Sequence, residues 1–217
     1  MSEIFRYNLR MFKLKIVVLL SLLFSSILLT DEPYVDKDLL NEIADKYGVF
    51  AKKRFFYLQE TLDSVKDKSD LEKLEAVNNF YNEVRYGSDI KIYGKSDYWA
   101  TPWEFLGNDR GDCEDYVISK YFALKHLGVD YKKLFFTYVR STNFKEPHMV
   151  LTYFETPKSE PLILDNNNRK IFPASQRKDL TPIYNFNGDV LDKVGKNNEK
   201  SHKKWDELKL NMQRKKI

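Results

Sequence analysis

Cys113 is the only cysteine of the chain, and three carboxylates surround it in sequence, those of Asp112, Glu114 and Asp115. A nucleophilic cysteine reacts as a thiolate, and nearby negative charge raises the pKa of a thiol. A carboxylate about 6 Å away costs at most roughly 3 kcal/mol, whereas a helix N-terminus offers only about 0.5–1 kcal/mol. Either Cys113 is unreactive, or the carboxylates point into water, or a cation gathers them. Clustered carboxylate oxygens suit Ca²⁺.

The acids also have a plainer interpretation, because carboxylates in a first turn cap a helix and complement its dipole. Asp112 is a good N-cap, and the apolar spacing that follows predicts a helix from Asp112 to Leu127. Cys113 would then lie in the first turn, where free backbone N–H groups can stabilise an oxyanion. Gly111 would let the chain turn before the helix. Asn108 and Asp109 are further candidate oxygen donors to a cation.

A cysteine nucleophile needs a base, and the chain has three histidines. His126 lies too far along the helix of Cys113 to reach it, and His202 belongs to the basic C-terminal segment. His148 begins one predicted strand and Asp165 ends the next. If these strands pair as a hairpin, the acid can orient the imidazole. The order therefore predicts a Cys-His-Asp triad of Cys113, His148 and Asp165.

The elements that must position these residues change character along the chain. Apolar residues at helical spacing predict two helices over residues 38–67 with a break near Gly48, and a further helix capped by Ser69 or Asp70. Residues 88–110 look irregular, and their Trp99 and Trp103 either line a peptide cleft or belong to the core. Short aromatic and β-branched runs predict strands over residues 134–140, 148–154 and 161–165, with an edge strand within 183–189. Helices followed by a meander indicate an α+β fold.

The N-terminus indicates export. An uncharged apolar run from Ile16 to Leu29 follows four basic residues, which is typical of a secretory signal, although no small-x-small cleavage site follows it. Residues 1–30 are therefore a signal peptide or an uncleaved membrane anchor. Most of the formal net charge of +4 belongs to this segment, so the remainder lacks the excess of positive charge that is typical of nucleic-acid-binding proteins. The basic residues 191–217 form a solvated helix or tail, or a contact with anionic lipid.

The stretches WATPWEFLGNDRGDCEDYVISKYFALKHLGV, HMVLTYF and LILDNNNRKI together resemble the bacterial transglutaminase-like cysteine proteinases of the LapG type, over roughly residues 75–190. The resemblance implies a papain/transglutaminase-like fold in which helices, including the nucleophile helix, pack on an antiparallel sheet. Together with the helices predicted upstream of the matching stretches, this indicates a protease domain over residues 31–190, whose helical part spans about 36–87. The family triad matches Cys113, His148 and Asp165, and the calcium ligands match Asp112, Glu114 and Asp115.

The same resemblance implies a biological role. Members are periplasmic, calcium-dependent proteases that cut the N-terminal region of large RTX-type surface adhesins at paired small residues, usually two alanines. Cleavage releases the adhesin and disperses the biofilm, and an inner-membrane receptor for cyclic di-GMP inhibits the protease. Two alternatives stay open on the residues alone. The triad also serves transglutaminases and amidases, and a calcium-binding recognition module could contain an idle Cys113.

Overall fold

A computed structural model describes residues 32–189 and 199–213 of the chain. The helices are α1 (Lys37–Tyr47), α2 (Val49–Val65), α3 (Asp70–Tyr81), α4 (Asp89–Ile92), α5 (Pro102–Asn108), α6 (Cys113–His126) and α7 (Glu199–Gln213). The strands are β1 (Arg85–Tyr86), β2 (Arg110–Gly111), β3 (Leu134–Ser141), β4 (His148–Tyr153), β5 (Leu162–Leu164), β6 (Phe172–Pro173) and β7 (Leu180–Phe186). Two 3₁₀ turns cover Tyr131–Lys133 and Ala174–Gln176. The predicted α+β order is confirmed.

Local capping chemistry sets the limits of the first three helices. Asp36 accepts a hydrogen bond from the Leu39 N–H at 2.7 Å and so starts α1. Gly48 separates α1 from α2 with a φ of 85°, a left-handed conformation that favours glycine. Ser69 and Glu72 form a reciprocal capping box at the start of α3. The predicted break and the predicted cap are both confirmed.

The five-stranded sheet has the order β6-β5-β4-β3-β7 and is antiparallel throughout. The pairing of Leu151 with Leu164 confirms the predicted hairpin of β4 and β5. The edge strand β7 starts at Leu180, earlier than predicted. Strand β6 was not predicted, because two residues that include a proline carry no alternating pattern.

The sheet packs its two faces differently. Met149, Leu151 and Tyr153 of β4 join the main core together with the buried face of α6. The alternate residue Val150 joins a smaller cluster with Val139 and Ile163 on the opposite face. His148 is the first residue of β4, and Asp165 directly follows the last residue of β5. Because β4 and β5 are antiparallel, both residues lie at the same end of these adjacent strands.

The prediction that residues 88–110 are irregular is wrong for residues 89–92 and 102–108, which form helices, and is confirmed for residues 93–101. This region contains α4, α5 and β2, and β2 pairs in parallel with β1. A capping box of Thr101 and Glu104, with Pro102 in the first turn, starts α5. Trp99 is 4% exposed and stacks on Phe186 with a centroid separation of 6.3 Å. Helix α5 is short, so its apolar positions do not complete a recognisable period.

The basic C-terminal segment is not simply a solvated tail. Trp205 and Leu208 of α7 are buried in the main core. The Trp205 ring stacks on Phe122 of α6 at 5.6 Å and meets Phe136 of β3 edge-on at 5.1 Å. Helix α7 therefore completes the core of the domain.

The predicted signal or anchor at residues 1–30 lies outside the described residues, as do residues 190–198 and 214–217. Within the described ranges, no helix combines the length and apolarity needed to cross a membrane.

Candidate active site

Helix α6 places Cys113 in its first turn, as predicted, with Asp112 at the N-cap position. The Asp112 N–H donates to Asp115 Oδ2 at 3.3 Å, and its carbonyl accepts from the Tyr116 N–H at 3.4 Å. Gly111 is required for close approach, because a Cβ there would lie 2.4 Å from the Phe105 ring and 2.5 Å from Asp115 Oδ2. The thiol is thus held at the positive end of a fourteen-residue helix.

His148 and Asp165 meet through a hydrogen bond of 2.8 Å from imidazole Nε2 to Oδ1 of the carboxylate. An ionised carboxylate can only accept, so Nε2 carries the proton and Nδ1 is the basic nitrogen. Both side chains are buried. The Asn167 amide lies 3.3 Å from Nε2 and contributes to the same turn.

Several donors surround the Asp165 carboxylate. The Asn167 N–H donates to Oδ1 at 2.9 Å, and Arg177 Nη2 donates to Oδ2 at 2.7 Å. Burial alone would raise the pKa of Asp165, but the hydrogen bonds from His148, Asn167 and Arg177 outweigh it and hold this pKa far below its usual range. Asp165 is therefore ionised at neutral pH and can orient an imidazole.

Cys113 and His148 line one cavity of about 410 Å³. The other lining residues are Tyr86, Asn143, Phe144, Lys145, Glu146, Pro147 and Asn167. The Phe144 ring lies 5.7 Å from the His148 ring. Trp99 and Trp103 pack in or against the core and do not line this cavity, so of the two alternatives for these residues the structure supports the core. The structure therefore places Cys113 and His148 on the lining of one cavity large enough for a segment of peptide, and Asp165 is hydrogen-bonded to His148 without lining that cavity.

Acidic neighbours oppose ionisation of the Cys113 thiol. Its sulfur lies 2.8 Å from Glu114 Oε2, to which the thiol donates. Burial, followed by the charges of Glu114 and Asp112, raises the pKa of Cys113 well above its ordinary value. The Met149 backbone N–H acts in the opposite direction. Without a compensating cation, the thiol is held protonated.

Asp89, Asp112 and Asp115 form a carboxylate trio behind the thiol, with one oxygen of each within 4.8 Å of the others. Backbone amides hold the two buried members. The Tyr98 N–H donates to Asp89 Oδ2 at 2.5 Å, and the Ala100 N–H donates to Asp115 Oδ1 at 2.9 Å. Burial, followed by repulsion from the neighbouring acids, raises the pKa of Asp112 to about 10. It also raises the pKa of Asp89 and Asp115.

The trio fits a hard divalent cation. Oδ1 of Asp89 and Oδ1 of Asp112 are buried without a hydrogen-bond partner, which is costly for a carboxylate unless a cation or proton takes that place. The other oxygens of Asp89 and Asp115 are already oriented by backbone amides. Oxygen-only donors of this charge are those that Ca²⁺ prefers.

The predicted ligand set changes in part. Asp112 and Asp115, which are predicted calcium ligands, are two members of the trio, and their role as ligands stays a prediction. Asp89 was not predicted, because the sequence around it gave no signal linking it to Cys113. Glu114 lies outside the trio and contacts the thiol, so its role as a ligand stays a prediction. The suggested donors Asn108 and Asp109 are engaged elsewhere. Their side chains contact, respectively, the Glu104 carbonyl and the guanidinium groups of Arg54 and Arg85.

Comparison with known proteins identifies relatives of this chain in sequence and in fold. The family model described as bacterial transglutaminase-like cysteine proteinase matches residues 57–181. Among solved structures, Legionella pneumophila LapG is 39% identical over 83% of this chain and 99% of its own, with a TM-score of 0.70. Its calcium-bound form is 42% identical over 81% and 98%, with a TM-score of 0.68. Its EGTA-treated form is 39% identical over 83% and 99%, with a TM-score of 0.69. A search of curated proteins gave no match.

The structural likeness confirms the predicted transglutaminase-like fold, with helices packed on an antiparallel sheet. The family model spans more than half of the chain, and these solved relatives are 39% and 42% identical to it over 99% and 98% of their own length. On these grounds the chain belongs to the bacterial transglutaminase-like cysteine proteinases, and within that family it is similar to LapG.

Proposed function

We propose that this protein is a calcium-dependent cysteine endopeptidase with Cys113 as nucleophile, His148 as base and Asp165 as orienting acid. The observation that carries the proposal is the 2.8 Å bond between His148 and Asp165 at the same cavity as the helix-end thiol. The nucleophile lies on a helix and its two partners on adjacent strands. The thiol and the imidazole therefore come from separate elements to line one cavity, and the buried Asp165 carboxylate is bonded to the imidazole.

The chemistry follows from which atoms are already engaged. Asp165 occupies Nε2 of His148, which leaves Nδ1 to take the thiol proton of Cys113. The thiolate attacks a peptide carbonyl, and backbone N–H groups at the start of α6 stabilise the oxyanion. The imidazolium then protonates the leaving amine as the C–N bond breaks, and water hydrolyses the thioester with the same base.

The proposed calcium site involves Asp89, Asp112 and Asp115, with Glu114 as a further candidate. A bound Ca²⁺ would supply positive charge that offsets the carboxylates beside the thiol. Support comes from the two unpartnered carboxylate oxygens and from the existence of a calcium-bound structure of LapG. The chain's own contribution is to fix the trio on backbone amides, so that the turn carrying Cys113 has a defined shape.

The proposed substrate is the N-terminal region of a large RTX-type adhesin, cut at paired small residues of the Ala-Ala type. Release of the adhesin would promote biofilm dispersal, and a periplasmic domain of an inner-membrane cyclic di-GMP receptor would inhibit the enzyme. The proposed location is the periplasm, with the N-terminal segment either removed or retained as an anchor. Similarity to LapG and the apolar run Ile16–Leu29 support these proposals.

The test is cleavage of the purified N-terminal segment of a large adhesin from the same genome, in calcium and in a chelator. We expect calcium-dependent cutting at paired small residues, and no cutting by Cys113→Ala despite an unchanged melting temperature. Cutting by Cys113→Ala at the normal rate would contradict the proposal. Incorporation of a labelled primary amine without hydrolysis would instead favour acyl transfer.

A further inference from the structure

Arg177 is the one buried arginine among the described residues, and sequence reasoning gave it no role. It lies twelve positions after Asp165, in the turn between β6 and β7. Its side chain is 7% exposed, and Nη2 donates to Asp165 Oδ2 at 2.7 Å. The other oxygen of Asp165, Oδ1, receives the proton of His148 at 2.8 Å. Each oxygen of the acid therefore has its own charged or polar donor.

Arg177 is itself held from behind. Nε donates to Asp179 Oδ1 at 2.9 Å and Nη2 donates to Asp179 Oδ2 at 2.8 Å, which is a bidentate pair. The backbone of the same turn is closed by hydrogen bonds of 3.0 Å from the Arg177 N–H to the Ala174 carbonyl and from the Leu180 N–H to the Arg177 carbonyl. Contacts within its own segment therefore fix the guanidinium independently of its hydrogen bond to Asp165.

A carboxylate that accepts only from His148 and the Asn167 N–H uses mainly Oδ1 and can turn about its last side-chain bond. A second donor on Oδ2 removes that freedom, and the planar guanidinium fork does so with defined direction. Orientation matters because a small displacement of the base from its productive position reduces the rate strongly.

We propose that Arg177 is a positioning residue, whose guanidinium, held by Asp179, fixes the Asp165 carboxylate in the orientation that aims the His148 imidazole at Cys113. The proposal rests on the proposed triad. It assigns to the turn at residues 174–180 a part in the reaction although none of its residues lines the cavity of Cys113 and His148.

The test compares four variants in the full-length calcium-loaded protein. Arg177→Gln removes the cation, Arg177→Lys keeps the charge without the fork, and Asp179→Asn removes the charge behind the arginine. Arg169→Gln is the matched control, because Arg169 is exposed and pairs with Glu83 on the surface. Cleavage kinetics are measured beside the proton NMR signal of the His148 Nε2–H group, which reports the bond to Asp165 directly.

We expect Arg177→Gln to lower kcat about 10- to 100-fold with KM unchanged, the range usual for partners that orient a reacting group. Its Nε2–H signal should broaden or disappear. Arg177→Lys should recover part of kcat and of the signal, Asp179→Asn should lose about threefold, and Arg169→Gln should match the wild type. A purely structural ion pair would instead lower the melting temperature and leave both kcat and the signal of the folded fraction unchanged.

If Arg177→Gln fails to fold, Arg177→Lys and Asp179→Asn decide the matter. Wild-type kcat and an unchanged His148 signal in both variants would overturn the proposal while leaving the protease assignment intact. If the wild-type protein cleaves no adhesin segment, the NMR signal still decides. Its loss in the Arg177 variants but not in Arg169→Gln would support the positioning role, and its persistence in all of them would overturn it.

Discussion

Calcium removal should reverse the usual pH dependence of stability in this protein. The pKa of Asp112 is about 10 in the folded, calcium-free chain, against 3.8 for the ordinary carboxyl group. Between these values the folded state binds more protons than the unfolded state, so the free energy of unfolding falls as the pH rises. The stabilising contribution is complete below about pH 3.8 and is lost progressively toward pH 10.

The magnitude can be worked out in two ways. One extra proton on the folded state gives a slope of about 1.4 kcal/mol per pH unit, or roughly 3 kcal/mol between pH 5.5 and 8. Independently, two unit charges separated by the 4.8 Å that bounds the trio repel by about 3.5 kcal/mol at an effective dielectric of about 20. For a chain of this size, about 3 kcal/mol corresponds to roughly 6–12 °C in melting temperature.

The assay is thermal unfolding from pH 5.5 to 8, in a chelator and in saturating calcium. We expect the melting temperature to fall with pH in the chelator and to stay level or rise in calcium, because a bound cation keeps the trio ionised. Asp89→Asn should flatten the chelator slope and weaken the calcium effect, whereas the exposed Asp206→Asn should change neither. A chelated protein whose melting temperature rises with pH, or an Asp89→Asn variant identical to wild type, would refute the reasoning.

Three further results are expected. Trp205→Ala should destabilise the protein by about 3–5 kcal/mol, measured by denaturant unfolding, because the indole is fully buried among aromatic rings; an effect below about 1 kcal/mol would mean that α7 does not hold the core. Burial lowers the pKa of Lys120 to about 7, so above pH 7 the unfolded chain binds more protons than the folded chain. In calcium, the free energy of unfolding should therefore rise from pH 7 to 9 by up to about 3 kcal/mol relative to that of Lys120→Met. Parallel pH profiles of the two proteins would contradict this. Glu114→Gln should speed alkylation of Cys113 in chelator about tenfold or more, because each lost unit of thiol pKa gives tenfold more thiolate; an unchanged rate would show that Glu114 does not restrain the thiol.

Elements and site residues could be predicted from the sequence where capping residues and apolar periodicity indicate the same structure. Helix α6, its cap at Asp112 and the strands of His148 and Asp165 all follow from short-range patterns, and the antiparallel hairpin then brings base and acid together. Asp89 and Arg177 could not be predicted, because each reaches the site through tertiary packing. An isolated acid or arginine in a polar stretch resembles ordinary surface until the fold buries it.

Helix α7 also bears on the order in which this protein can mature. Lys204 pairs with Asp97 and lies 5.4 Å from the centre of the Trp99 ring. Lys204 thereby contacts the loop in which the Tyr98 and Ala100 N–H groups donate hydrogen bonds to Asp89 and Asp115. A chain is made from its N-terminus, so this support becomes available only after residues 199–213 have been synthesised. Cys113 is synthesised well before α7, so the surroundings of its thiol are complete only after α7 has packed against this loop.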